Sequence, residues 1–322
     1  MRVYSGMQST GKPHIGNYLG AMKQHIAMQD EHECIYFIAN LHSLTTVRDG
    51  KLLRDLTYEL ALDYLALGLN PDKTIFFKQS DVPEHSELTW IFDCITNMGV
   101  LERAHAWKDA KQKGLKDPSV GLFNYPILMA ADILLYNPDS VPVGKDQKQH
   151  IEITRDIAEK FNNLYGETFK IPDPMIKEEV QTIIGTDGEH KMSKSYNNTI
   201  EFFAPENELK KQIMGMVTDS KSVDEPKDPE NSNIYKLYSH FASDSENKDF
   251  AQKFQAEGMG YGDAKKLLFE KILDYFSPYR KKREEMAKNV DYIDEVLQNG
   301  AKRAREIATK TLEDVKDKTG LK

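Results

Sequence analysis

Cysteine is scarce in this chain. Cys34 and Cys94 are the only two in 322 residues, and neither has a second cysteine or a ligand-spaced histidine pair nearby. A disulfide framework and a structural zinc site are therefore excluded. Long apolar runs are missing too, since no stretch approaches the ~20 residues that a membrane span requires. Met1 to Gly6 reads as the start of a strand rather than a signal peptide, so a cytoplasmic protein without membrane association is expected. Thirteen prolines and nineteen glycines are too few for a collagen-like or low-complexity chain. Nor is there an excess of positive charge: the net charge is -8, which argues against indiscriminate nucleic-acid binding. Local basic patches do occur, at Lys108 to Lys116, Arg280 to Arg283 and Lys302 to Arg305, and each also fits a solvated helix face.

What is present is the composition of an ordinary globular protein, 39% hydrophobic and 29% charged. The length suggests two domains at about 100–200 residues each. In the first half, strand patterns (Arg2 to Ser5, Cys34 to Ala39, Thr74 to Gln79, Ser140 to Gly144) alternate with helical ones. That alternation predicts an α/β fold, a Rossmann-like doubly wound parallel sheet. Pro142 suits an end or an edge of its strand. Between Lys170 and Asn198 the pattern dissolves into Pro, Gly, Lys and Ser, as expected of loops around a working site. From about Pro205 helical periodicity takes over. We therefore expect a catalytic domain over 1–200 and an all-helical domain over 201–322, whose last helix could pack back on the first.

Two constellations carry chemistry. Gly6, Gly11 and Pro13-His14-Ile15-Gly16-Asn17 lie in the turn between the first strand and first helix, where glycines permit close approach and a helix start favours an anion. A nucleotide phosphate fits there, as does an ordinary turn with a surface histidine. The spacing is neither G-x-G-x-x-G nor a P-loop, which disfavours a nicotinamide dinucleotide. The second constellation is Lys191-Met-Ser-Lys-Ser195, preceded by Gly185, Gly188 and His190. Two lysines and two hydroxyls on a loop can grip a polyphosphate whose charge shifts during reaction.

Together these segments resemble the two signatures of class I aminoacyl-tRNA synthetases, with Asn17 in place of a final histidine. Gly121-Leu-Phe-Asn-Tyr-Pro-Ile-Leu-Met-Ala-Ala-Asp-Ile-Leu-Leu-Tyr136 and Val141-Pro-Val-Gly-Lys-Asp-Gln-Lys-Gln-His150 resemble the bacterial tryptophan-specific branch of that family, and the similarity runs through nearly the whole chain. Tyr125, Met129 and Asp132 are spaced four and three apart, hence on one helical face. A carboxylate among apolar neighbours needs a donor. An indole N–H would serve, and so would a Lys or Arg side chain.

The resemblance implies residue roles. Asp132 would hold the indole N–H, Met129 and Tyr4 would pack on the rings, and Tyr125 and Gln147 would meet the substrate amino group. Gln8, Ser9 and Thr10 would face the ATP phosphates beside His14, with Gly16 and Asn17 at the adenosine. Gly144, Lys145 and Asp146 would lie at the ribose and Ile183 at the adenine. Lys191, Met192, Ser193, Lys194 and Ser195 would bound the pyrophosphate, and Lys111 could close on the phosphates. Gln8, Asn17, Lys111, Lys191 and Lys194 are the implied catalytic set. The implied activity is ATP-dependent activation of L-tryptophan and its transfer to tRNA(Trp), with Mg2+ accompanying ATP, no zinc or organic cofactor, and a homodimer as the working form. A tyrosine-specific relative, a small nucleotidyltransferase and a non-catalytic tRNA-binding paralogue are the competing readings.

Overall fold

A computed structural model describes the chain apart from residues 113, 115, 116, 145, 146, 177–181 and 257. Five strands form one all-parallel sheet: β1 (Arg2–Met7), β2 (Glu33–Ile38), β3 (Thr74–Lys78), β4 (Ser140–Val143) and β5 (Asp173–Ile176), in the order β3-β2-β1-β4-β5. β2 and β3 are almost wholly buried because Cys34-Ile-Tyr-Phe-Ile and Thr74-Ile-Phe-Phe offer no polar face. Strand order reverses direction between β1 and β4, the position at which open α/β sheets bind ligands beyond the strand ends.

Two elements depart from the sequence expectation. β4 is interior, not an edge; its register with β1 is Val3↔Ser140, and Pro142 pairs with Met175 of β5. β5 itself lies in the stretch expected to be loop. Asp-Pro-Met-Ile carries no legible alternation, and pairing with β4 makes it a strand.

The chain divides into two compact units. One comprises Met1–Thr10, His25–Glu178 and Asn289–Lys322; the other comprises Gly11–Gln24 and Glu179–Lys288. The expected single cut near residue 200 divides the chain differently. In the first unit the final helix, Val290–Thr319, lies against β3. Gly300 makes this possible, since a Cβ there would sit 1.8 Å from the Phe76 carbonyl oxygen. Arg303 donates to the carbonyls of Pro71 (2.9 Å) and Thr74 (3.3 Å), while Arg305 and Thr309 donate to buried Glu84. Two arginines of the Lys302–Arg305 patch therefore hold the helix in place.

In the second unit, helices Glu206–Met214 and Asn233–Ser239 pack on Tyr261–Met286. Phe202, Phe241 and Phe276 form its aromatic centre with Tyr18 and Tyr275, whose hydroxyls are 2.7 Å apart. Arg280 donates to the carbonyls of Phe202 and Ala204, so it too serves the fold. Tyr18–Met22 forms a π-helical turn directly after the short helix Ile15–Asn17.

Candidate active site

The first unit gathers its candidate chemistry around Asp132. Helix Val120–Leu134 is apolar nearly all round and carries Asp132 into the core, where it is 1% exposed. Such a carboxylate needs donors, and segments following β2 and β3 supply them. His42 Nε2 lies 2.7 Å from Oδ2; Gln79 Nε2 (2.7 Å) and His85 Nδ1 (2.6 Å) both donate to Oδ1. Burial pushes the Asp132 carboxyl upward, but the hydrogen bonds and charges of His42 and His85 outweigh it and hold the group at about 2. A carboxylate accepts at roughly four positions. Three described donors leave one on Oδ2.

Aromatic rings surround this acid. Tyr4 stacks with Phe37 (5.0 Å) and Tyr136 (4.9 Å), and its buried hydroxyl has no hydrogen-bond partner among the described residues. Met129 packs half-buried against the same core. Tyr125 stands edge-on to His42 at 6.2 Å, with its hydroxyl 2.6 Å from His150 Nε2. The sequence reading passed over His42, Gln79, His85 and His150. Their signal was position: His42 and Gln79 closely follow parallel strands, at the edge where ligands bind.

The other expected contact residues of this unit are placed as follows. Ser9 is fully buried; its N–H donates to Ser43 Oγ (3.0 Å), and its hydroxyl lies 2.9 Å from Thr57 Oγ1. Both polar groups thus fasten the turn after β1. Gln8, Gly144 and Gln147 are exposed and Thr10 is half-buried. Lys145 and Asp146 lie outside the described residues. Lys111 Nζ sits over the Trp107 ring, 5.1 Å from its centre.

The second unit gathers the other expected residues. Residues 183 to 192 fold back as a small hairpin: Ile184 pairs antiparallel with Lys191, and Met192 N–H donates to the Ile183 carbonyl at 2.7 Å. Lys194 Nζ donates to the Gly11 carbonyl at 2.6 Å, which brings the lysine loop to the glycine turn. A Cβ on Gly16 would meet the His14 ring at 3.0 Å and Met192 Cβ at 3.4 Å, so this close packing depends on glycine. Asn17 Oδ1 accepts the His14 N–H, and Ser193 and Ser195 hydroxyls are 2.9 Å apart.

Charge in this cluster is tuned. Burial lowers His14 to about 4, helped by the positive charges of Lys194 and Lys191. Partial desolvation at the turn draws Lys194 down to about 8, against the pull of Glu201. His14 is therefore neutral at pH 7 and Lys194 is mostly charged. A polyphosphate would favour the charged lysine further. Among the described residues no group of His, Cys, Asp and Glu is placed to hold a metal ion.

The family model for class I tRNA synthetases (W and Y) matches residues 1–277. The chain belongs to this family. It is 52% identical to the tryptophan–tRNA ligase of Fusobacterium nucleatum over 99% of the chain and 98% of that protein. The tryptophan–tRNA ligase of Rhodopirellula baltica is 49% identical over the whole of both chains. Among solved structures, the tryptophanyl-tRNA synthetase of Campylobacter jejuni complexed with ADP and tryptophan is similar, with a TM-score of 0.94 at 47% identity, covering 99% of this chain and all of that one.

Proposed function

We infer that this chain is a tryptophan–tRNA ligase. The tryptophan carboxylate attacks the α-phosphorus of ATP, pyrophosphate departs, and tryptophanyl-adenylate results. A hydroxyl of the terminal ribose of tRNA(Trp) then attacks the acyl carbon and AMP departs. No protein nucleophile is required; binding, orientation and charge supply the catalysis.

The observation that carries the reading is the remaining acceptor position on Asp132, a carboxylate fixed by His42, Gln79 and His85 in an aromatic and aliphatic setting. Indole offers a single polar atom, an N–H donor, on a large apolar body. A competing apolar amino acid leaves that acceptor unpaired, at a cost of about 1–3 kcal/mol. Tyr4, Met129 and Tyr125 complete the proposed tryptophan site with Gln147.

On the nucleotide side, Lys191 and Lys194 hold the pyrophosphate, with Ser193 and Ser195 donating hydroxyls. In the second unit Gly16, Asn17 and neutral His14 are assigned to the adenosine and phosphates and Ile183 to the adenine; in the first, Gln8 and Thr10 are assigned to the phosphates and Gly144 to the ribose. Mg2+ arrives as part of the nucleotide substrate and neutralises phosphate charge. Lys111, over the Trp107 ring, is the first unit's assigned phosphate contact.

Exposed Lys281, Lys282 and Lys302 remain as candidates for tRNA contact once Arg280, Arg303 and Arg305 are assigned to the fold. No helix among the described residues is long and apolar enough to cross a membrane. A cytoplasmic enzyme fits the need for tRNA. A homodimer would cover apolar residues such as exposed Trp90 (70%), Met98 (63%) and Val120 (75%), which lie on helices that pack together.

Tryptophan-dependent exchange of labelled pyrophosphate into ATP tests the reading directly. Exchange with tryptophan and not with tyrosine or phenylalanine is expected; exchange with tyrosine alone, or with no amino acid, overturns it.

A further inference from the structure

Outside the Lys191–Ser195 segment, one side chain ties the loop together. Asn198 is 1% exposed and uses both ends of its carboxamide. Oδ1 accepts the Ser193 N–H at 2.7 Å. Nδ2 donates to Asp187 Oδ2 at 3.0 Å and to the Lys191 carbonyl at 3.2 Å, with a longer contact of 3.4 Å to the His190 carbonyl. Its own carbonyl accepts the Thr186 N–H at 2.9 Å. The hairpin before the loop and the loop itself are thereby joined through one amide.

The surrounding residues fit this role. A Cβ on Gly185 would lie 2.2 Å from Asn198 Cγ and Nδ2, so glycine opens the space that the carboxamide fills. Asn197 takes a left-handed conformation (φ 51°), which turns the chain back before Asn198 enters. Asp187 is anchored in turn by the backbone N–H groups of Glu189 and His190. Only an amide offers an acceptor to Ser193 and donors to a carboxylate and a carbonyl at the same time. An aspartate would face Asp187 with like charge, and an aliphatic residue would leave the Ser193 N–H unpaired.

We propose that Asn198 is a positioning residue of the nucleotide reaction: it sets the backbone at Lys191 and Ser193, and so the reach of Lys191 and Lys194 towards the departing pyrophosphate, without touching it. This rests on the ligase reading. Lysine ammonium groups act at the end of long side chains, so a small shift in the backbone beneath them displaces the charge. Misplacement by about 1 Å is enough to cost on the order of 10²-fold in rate.

The test uses the full chain with Asn198→Ala, Asn198→Asp and the double variant Asn198→Asp/Asp187→Asn. Expected results are a fall in kcat of pyrophosphate exchange of about 10²-fold for both single variants. KM for tryptophan, and tryptophan binding by calorimetry without ATP, should stay within twofold of the parent. The double variant restores one donor–acceptor pair and should recover about tenfold, an order-of-magnitude expectation for one regained hydrogen bond. Hydrogen exchange at the Ser193 amide should quicken in Asn198→Ala. A kcat within twofold of the parent in Asn198→Ala overturns the proposal, as does an equal loss of kcat and tryptophan binding. A parent chain without exchange activity removes the ligase reading instead, and the Ser193 amide then judges the clasp by itself.

Discussion

His85 Nδ1 lies 2.6 Å from Asp132 Oδ1, and its other ring nitrogen is 2.9 Å from the Tyr136 hydroxyl. The ring nitrogen that faces the carboxylate carries a proton, so the imidazole links the acid to a phenol through the core. Asp132 is consequently a fixed acceptor, with its direction set before any ligand arrives.

In the proposed reading, selectivity follows from that arrangement. Asp132→Asn places an NH2 group or a weaker acceptor among three donors, and kcat/KM for tryptophan should fall by about 10²-fold or more. Exchange assays with tryptophan, tyrosine and phenylalanine check this; an unchanged preference for tryptophan would remove Asp132 from the pocket.

Asp132→Ala should also lower stability, because His42, Gln79 and His85 lose their shared partner. A loss of about 3–5 kcal/mol is expected from breaking a buried charged contact. Urea unfolding of both Asp132 variants measures it, with the asparagine variant the less affected.

Acid should weaken the fold through His14. Its folded pKa, about 4, lies below the ordinary histidine value, so the unfolded chain binds the extra proton between about pH 6.5 and 4. The stabilisation is present above pH 6.5 and disappears as the pH falls through 4, up to about 3 kcal/mol. His14→Gln should flatten the dependence of the urea midpoint on pH over this window; an unaltered slope would contradict it.

Alkali should act on the nucleotide step through Lys194. Below about pH 8 its ammonium is charged, and above that the free enzyme loses the charge. ATP affinity should therefore weaken as pH rises from 8 to 9.5. Lys194→Arg, whose guanidinium stays protonated, should remove that limb while lowering kcat. A pH profile of KM for ATP in both proteins decides the point.

Gly300→Ala probes the seat of the final helix. The added Cβ collides with the Phe76 backbone of β3, which cannot swing aside as a side chain would. A stability loss of about 2–3 kcal/mol is expected. Limited proteolysis should find the helix cut earlier than in the parent.

The chemistry of this protein was legible where it is contiguous. Lys191 to Ser195 and His14 to Asn17 point to the proposed polyphosphate site because the residue types it needs are neighbours in sequence there, and the apolar strands announce a parallel sheet for the same local reason. Asp132 was legible as a lone acid on an apolar helix face. Its partners were not: His42, Gln79 and His85 stand 90, 53 and 47 residues away in the chain. Only the sheet, by setting the ends of β2 and β3 beside that helix, chooses them. That the Ser9 hydroxyl meets Thr57, 48 residues on, was not legible either. The return of the final helix to β3 likewise depends on an absent Cβ meeting a particular backbone carbonyl. Sequence by itself determined which groups could do the chemistry and which segments could be helix or strand, since these follow from residue type and spacing. Tertiary structure decided which donors pin the acid, which arginines serve the fold and where the chain divides, because each depends on distances between segments that no local pattern encodes.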